Sequence, residues 1–446
     1  MKNRAIKSLF ILGFAIFSTQ WVWAGIPIAH WKQPSGVMVY LVESHAVPML
    51  DVQIDFDAGA RRDPAAMAGL ASVTASMSAK GVLARGNLLA LDENALSEAW
   101  ADLGASFNAS ATSDRMSFSL RSLSYPDLLA QAIGLAARQL GQPAFPDAVW
   151  QRERSRLSAA LREANTRPAS VAARRFSKAV YGAHPYGYEM TDATLVQMEV
   201  ADMKALHARL IQSCRAKVSM VGAVTRAQAD ALVRQLFSQL PAGTGGCAPL
   251  PRIGEVAALS APQEIQVAFD STQAHVLMGQ PGYKRDDPDF FTLTVGNYIL
   301  GGGGFVSRLT TEVREKRGLS YSVFSYFAPG LHAGAFTLGL QTRPDQARQA
   351  VAVAREVLTR FVADGPTAQE LQAAKDNLVG GFALRIDSNR KLLDNVSNIA
   401  WNGLPLNYLD TWTQQVEKVT VQDIRAAFQR KLQPSNLVTV VVGGLP

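Results

Sequence analysis

The strongest constraint on this 446-residue chain is an internal repeat. A strand-like run, Ala216-Lys-Val218-Ser-Met220-Val221, stops at Gly222, and a second, Leu437-Val438-Thr-Val440-Val441-Val442, stops at Gly443. Asp63-Pro64 follows one extended segment and Asp287-Pro288 follows another. The offsets, 443 − 222 = 221 and 287 − 63 = 224, nearly agree and fall in the same order. One unit of about 220 residues used twice explains both, because a duplicated unit duplicates its stop and start signals.

Each half begins with strand-like alternation, at residues 37–42 and 50–56 in the first. Helical spacing of apolar residues follows at 122–140 and 148–164, and a final strand closes the half. The expected class is α+β: two homologous α/β sandwich domains, each with a mostly antiparallel sheet and helices packed on one face. Glycine and proline crowd residues 241–260, which reads as a linker between domains at 25–240 and 261–446. Asp63 before Pro64 predicts a helix N-cap with proline at the first helical position, and Gly81 predicts its stop.

The N-terminus carries Lys2, Arg4 and Lys7, an apolar core over 8–17, and Val22-Trp23-Ala24 as a small-x-small cleavage pattern. Residues 1–24 therefore read as a signal peptide that directs the chain to the periplasm or outside the cell. The rival, an uncleaved anchor, needs about 20 apolar residues and finds fewer. No later run is long enough, so no stable membrane span is expected after signal removal. The formal charge of +7 falls to 7 − 3 = +4 without those three cations. The rest are scattered and broken by acids, as in Arg152-Glu153-Arg154, which disfavours nucleic acid as a partner. Cys214 and Cys247 are the only cysteines; their spacing leaves a disulfide and two free thiols equally open.

No two of the six histidines share a helical turn, whereas a zinc helix normally offers two ligands four apart. Ser72 and Ser76 have that spacing, but hydroxyls are poor zinc ligands and Ala75 offers no base. As plain structure, Ser72, Ala75 and Ser76 make a small-residue face for close packing of another helix. The second half is richer. Gly301-Gly302-Gly303-Gly304-Phe305-Val306-Ser307-Arg308-Leu309 leads to Arg314-Glu315-Lys316-Arg317-Gly318-Leu319-Ser320-Tyr321. A guanidinium fork and a phenol are donors suited to developing negative charge. As plain structure, Arg314 pairs with Glu312 or Glu315, and Tyr321 packs on a strand.

These segments resemble the pitrilysin/insulinase family of zinc metallopeptidases. In the frame of that family's H-x-x-E-H helix, the two histidines and the glutamate fall on Ser72, Ser76 and Ala75. The ligand from a later helix falls on Ala160, seven residues after Glu153. The resemblance implies that all four are degenerate metal positions, so this chain holds no cofactor. It implies that Arg314 and Tyr321 are catalytic, reaching a zinc centre to hold substrate carbonyls and the oxyanion. It also implies that Phe107, Asn108 and Ala109 form an edge strand on which peptides lie, with Gly302 and Gly303 in the substrate-binding set. An ordinary edge strand remains an equal reading of residues 107–109. His184-Pro185-Tyr186-Gly187 and Thr367-Ala-Gln-Glu370-Leu371-Gln-Ala-Ala374-Lys375 match further motifs, the former as a structural turn. The resemblance runs over residues 26–446. It implies a zinc-less subunit of a periplasmic heterodimeric metallopeptidase, inactive alone, with zinc in a homologous partner and peptides or unfolded proteins as substrates. The alternative is a non-catalytic peptide-binding or scaffold protein of the same fold.

Overall fold

Alternating apolar residues in the first half form six strands: β1 (Ala29–Lys32), β2 (Met38–Glu43), β3 (Met49–Phe56), β4 (Ser106–Ala111), β5 (Met116–Leu123) and β6 (Lys217–Gly222). They pair in the order β1-β2-β6-β3-β5-β4, with only β2 and β6 parallel. The computed structural model describes residues 25–240 and 247–444. The expected signal segment, 1–24, lies outside them, as do linker residues 241–246. Eight helices belong to this half: α1 (Leu70–Met77), α2 (Glu93–Asp102), α3 (Pro126–Gly141), α4 (Asp147–Asn165), α5 (Pro168–Tyr181), α6 (Asp192–Gln197), α7 (Val200–Leu210) and α8 (Arg226–Leu236).

The second half repeats the plan with β7 (Gln263–Val267), β8 (Ala274–Pro281), β9 (Ser322–Phe327), β10 (Ala335–Thr342) and β11 (Val438–Val442), ordered β7-β11-β8-β10-β9. Its helices are α9 (Phe290–Asn297), α10 (Ala347–Asp364), α11 (Ala368–Gly380), α12 (Asn389–Asn402), α13 (Tyr408–Lys418) and α14 (Val421–Lys431). The closing glycines do the same work in both halves. A β-carbon on Gly222 would sit 2.2 Å from the Met49 carbonyl oxygen, and one on Gly443 would sit 2.6 Å from the Ala274 Cα. Both also have positive φ, which glycine alone adopts without strain.

Local chemistry moved several expected boundaries. The pattern at 122–140 is a strand end followed by a helix, because Tyr125 precedes proline and is held extended while Pro126 opens α3. Helix α1 begins at Leu70, after a 3₁₀ turn at Ala65–Met67 and a break at Gly69, whose φ is 101°. Asp63 still caps it, from further back: its carboxylate accepts from the Gly69 and Ala71 amides at 2.9 Å each. Burial pushes that carboxyl up to about 7 against the pull of these donors. The helix ends at Met77, short of Gly81.

The sheets also receive helices from each other's half. Helix α5 of the first half lies on β8 and β11, where Ala172, Phe176 and Val180 join Ala335, Val438, Val440 and Val442 in one buried cluster. Helix α12 of the second half lies on β2, β3 and β6, where Leu393, Val396 and Ile399 join Tyr40, Val42 and Val221. A buried polar knot pins the second contact: Asp55 accepts from Ser397 Oγ at 2.8 Å and from Arg115 at 3.1 Å. Lys217 donates to the carbonyl of Ala400 at 2.8 Å. Helices therefore lie on both faces of each sheet, and this exchange joins the halves where the linker alone would leave them tethered.

Candidate functional site

Between α9 and β9 the chain winds through two wide π-helical segments, Tyr298–Gly302 and Thr310–Glu315, around a short turn at Gly304–Val306. Such insertions displace side chains from the ordinary helical register and recur at functional sites. Glycine is required at 301, where a β-carbon would lie 2.5 Å from the Ser325 amide nitrogen. Buried Leu309 and Val313 anchor the second segment, which turns Arg314 outward. Past the turn at Gly318, buried Leu319 and Ser320 fix the approach to β9. Ser320 Oγ lies 2.7 Å from the carbonyl oxygens of both Ser322 and Gln341. Tyr321 is left 82% exposed.

This geometry brings Arg314 and Tyr321 together. The guanidinium carbon of Arg314 sits 4.8 Å from the Tyr321 ring centroid and 4.9 Å from that of Phe305. Both are cation–π distances. The expected acid partners are not engaged. Glu312 binds Lys316 and Arg317, and these two hold its carboxyl below the ordinary range, Lys316 first. Glu315 is exposed and makes no ion pair with Arg314. Among the described residues, the Arg314 side chain has no hydrogen-bonding or ionic partner, so its donors remain open. Nearby Arg308 is different: it binds Glu370 bidentately at 2.6 and 2.7 Å, and Glu370 also closes the capping box of α11 with Thr367. The T-x-x-E motif is thus scaffolding.

Gly302 is exposed and Gly303 half-buried beside Tyr298, on the turn that presents Phe305. Phe305 was missed by the sequence reading. Its signal was an apolar Phe-Val pair directly after four glycines, a place where nothing could bury it. Residues 107–109 lie on β4, which pairs with β5 alone and forms the edge of its sheet. Asn108 is exposed and Ala109 half-buried. The Phe107 side chain turns inward between Trp100 and Phe118, with ring centroids 5.8 Å away on each side, so it belongs to the core.

The degenerate metal positions are arranged differently from the small-residue packing face expected of them. Ser72 and Ser76 are exposed on α1, with no described helix covering them, and of the three Ala75 alone is buried. Ser76 Oγ donates to the Val73 carbonyl at 2.9 Å, spending its proton on its own helix. Ala160 is exposed on α4. Two hydroxyls and two methyls do not fit a zinc ion. Among the described residues, no three His, Cys, Asp or Glu side chains gather into a metal-binding group. Glu153, two turns earlier on α4, is held by Arg156 at 2.8 Å together with Arg152 and Lys80. Burial works to raise its carboxyl, and these cations bring it below the ordinary range.

His184 takes a structural place. Its Nδ1 accepts from the Tyr186 amide at 3.1 Å, and its Nε2 meets the linker carbonyl of Gly254 at 3.1 Å. Cys214 and Cys247 are joined in a disulfide that ties the linker's start to the first half.

Comparison with known proteins accounts for both halves. Residues 38–194 match the family model for insulinase, peptidase family M16, and residues 197–378 match the model described as the peptidase M16 inactive domain. A crystal structure of a peptidase M16 inactive domain from Pseudomonas fluorescens is 32% identical, with a TM-score of 0.87, covering 94% of this chain and 98% of that one. An uncharacterised zinc protease of Mycobacterium bovis is 30% identical over 59% of this chain and 60% of its own length. A non-peptidase homologue from Helicobacter pylori is 25% identical over 91% of each chain. This chain thus spans about 60% of the length of the mycobacterial relative.

Proposed function

The chain belongs to the peptidase M16 family, and on that premise we propose that it is the zinc-less subunit of a heterodimeric metallopeptidase. The observation that carries the reading is the contrast between two sites in one molecule. The positions that would hold metal have lost every ligand, while Arg314 and Tyr321 stand side by side with their donors unengaged. A half-buried guanidinium whose N–H donors meet no acceptor among the described residues is better explained by a role toward another molecule.

In this reading a homologous partner carries the zinc, and this chain supplies donors. The Arg314 guanidinium holds a carbonyl of the bound peptide, and the Tyr321 phenol donates to the oxygen on which charge develops. Removing one such donor commonly lowers turnover by about 10²–10³-fold. The edge strand β4, with Asn108 and Ala109, offers main-chain pairing to an extended peptide, which gives affinity with little dependence on sequence. The N-terminal pattern supports work in the periplasm, and no described helix is long and apolar enough to cross a membrane.

The test combines purified chains. This chain alone should not hydrolyse peptides, mixing with a zinc-bearing homologue should produce hydrolysis, and Arg314→Ala in the mixture should reduce turnover about 100-fold. A mixture that is active and indifferent to both Arg314→Ala and Tyr321→Phe would refute the assignment. A second reading, a peptide-binding scaffold without catalysis, is favoured by the similarity to the Helicobacter non-peptidase homologue. Peptide binding without hydrolysis in any mixture would select it.

A further inference from the structure

We propose that Phe305, Arg314 and Tyr321 form a clamp for a peptide carboxylate borne next to an apolar residue; this rests on the reading that the Arg314 face binds peptide, and names which peptides it takes. A cation–π contact engages the charge of a guanidinium and uses none of its N–H donors in a hydrogen bond. The two rings, 4.8 and 4.9 Å from the guanidinium carbon, thus orient Arg314 without satisfying it. A guanidinium has five N–H donors, so a peptide carbonyl engages only part of it, and a neighbouring carboxylate matches the remaining fork in both charge and geometry. The surrounding charge agrees. Within residues 304–321, Arg308 is paired with Glu370, and Lys316 and Arg317 with Glu312, which leaves Arg314 as the cation with no ionic partner among the described residues.

The apolar half of the ligand follows from the rim. Phe305 and Val306 are 71% and 74% exposed, an adjacent apolar pair that packs against no core. Exposed Phe324 and Tyr326 stack on each other on edge strand β9, with centroids 5.9 Å apart. Exposed Phe305 beside an open cation suits a peptide that presents both features within a residue or two. Phe305 is therefore a positioning residue, holding the guanidinium by cation–π contact and offering apolar contact at its own rim.

Fluorescence anisotropy on the purified full chain tests the clamp with one labelled apolar peptide in three forms: free C-terminal acid, C-terminal amide, and amide with a penultimate glutamate. The acid should bind at least about ten-fold more tightly than the plain amide. Arg314→Ala and Phe305→Ala should abolish that preference, and Phe305→Tyr should restore it, with the thermal midpoint unchanged in all three variants. Equally tight binding of the glutamate amide would support the clamp and make a side chain the source of the carboxylate. Equal affinity for acid and plain amide, no binding of the acid at about 1 mM, or a preference that survives Arg314→Ala would overturn it. No partner is present, so a failed hydrolysis assay leaves an acid preference standing, and a missing preference leaves hydrolysis standing.

Discussion

Helix α1 of the first half and the Phe305–Tyr321 segment of the second sit in halves of matching topology, yet they carry opposite chemistry. On α1 the outward positions hold Ser72 and Ser76, and Ser76 spends its proton on its own helix. In the second half the outward positions hold a guanidinium and a phenol in contact with each other, with no hydrogen-bonding partner among the described residues. The uncovered parts of the two sheets differ in the same sense. Strands β4 and β5 expose Asn108, Ser110 and Ser119, whereas β9 exposes stacked Phe324 and Tyr326. Interior positions, by contrast, match: Gly222 and Gly443 meet the same close approach. Packing enforces what lies inside a duplicated unit and is silent about what lies outside, so divergence gathers on exposed faces.

That comparison can be broken first at α1. Ala75→Glu should cost about 3–5 kcal/mol, because it buries an unpaired carboxylate. Ser72→His and Ser76→His, being exposed, should stay within about 0.5 kcal/mol. Urea unfolding compares them, and equal costs at all three would erase the distinction between inner and outer positions. The exchange of helices predicts symmetry instead. Phe176→Ala in α5 should cost about 3–5 kcal/mol and Ile399→Ala in α12 about 2–5 kcal/mol. A loss at only one would make the exchange one-sided.

Breaking the disulfide with Cys214→Ser should cost about 2–4 kcal/mol, and the bond ties the linker to the first half and not to the second. Calorimetry with and without reductant should give the same loss. The smallest effect concerns acid. Burial holds His184 and His207 below the ordinary imidazole range, and neighbouring His332, 5.0 Å away, adds to it for His184. The unfolded chain then binds protons near pH 6.5 that the native state still refuses. The stability these groups contribute is present above about pH 6.5 and is lost as pH falls through the window beneath it. The protection of β2 and β6 amides against hydrogen exchange, taken relative to the intrinsic exchange rate at each pH, should decrease between about pH 7 and pH 5.

Much of this architecture was legible because its signals are local. The paired glycines revealed the repeat, the alternation at 50–56 marked β3, and the motif at 301–321 placed Arg314 beside Tyr321. Helix starts were less legible: Asp63 caps α1 across a 3₁₀ turn, and its spacing to Gly69 and Ala71 is a tertiary fact. The exchange of α5 and α12 left no sign, since an amphipathic helix does not record which sheet it covers. Nor did Arg314's freedom from Glu312 show, because only folding brings Lys316 and Arg317 onto that acid. Ser72 and Ser76 are small enough to suit either a packed or an open face, so the sequence favoured the wrong one.

The decisive measurement is peptide turnover by four samples: this chain, a zinc-bearing homologue, their mixture, and the mixture carrying Arg314→Ala. Turnover in the intact mixture alone, falling about 100-fold with the substitution, is the predicted result. Hydrolysis by this chain alone, with stoichiometric zinc bound to it, would contradict the account.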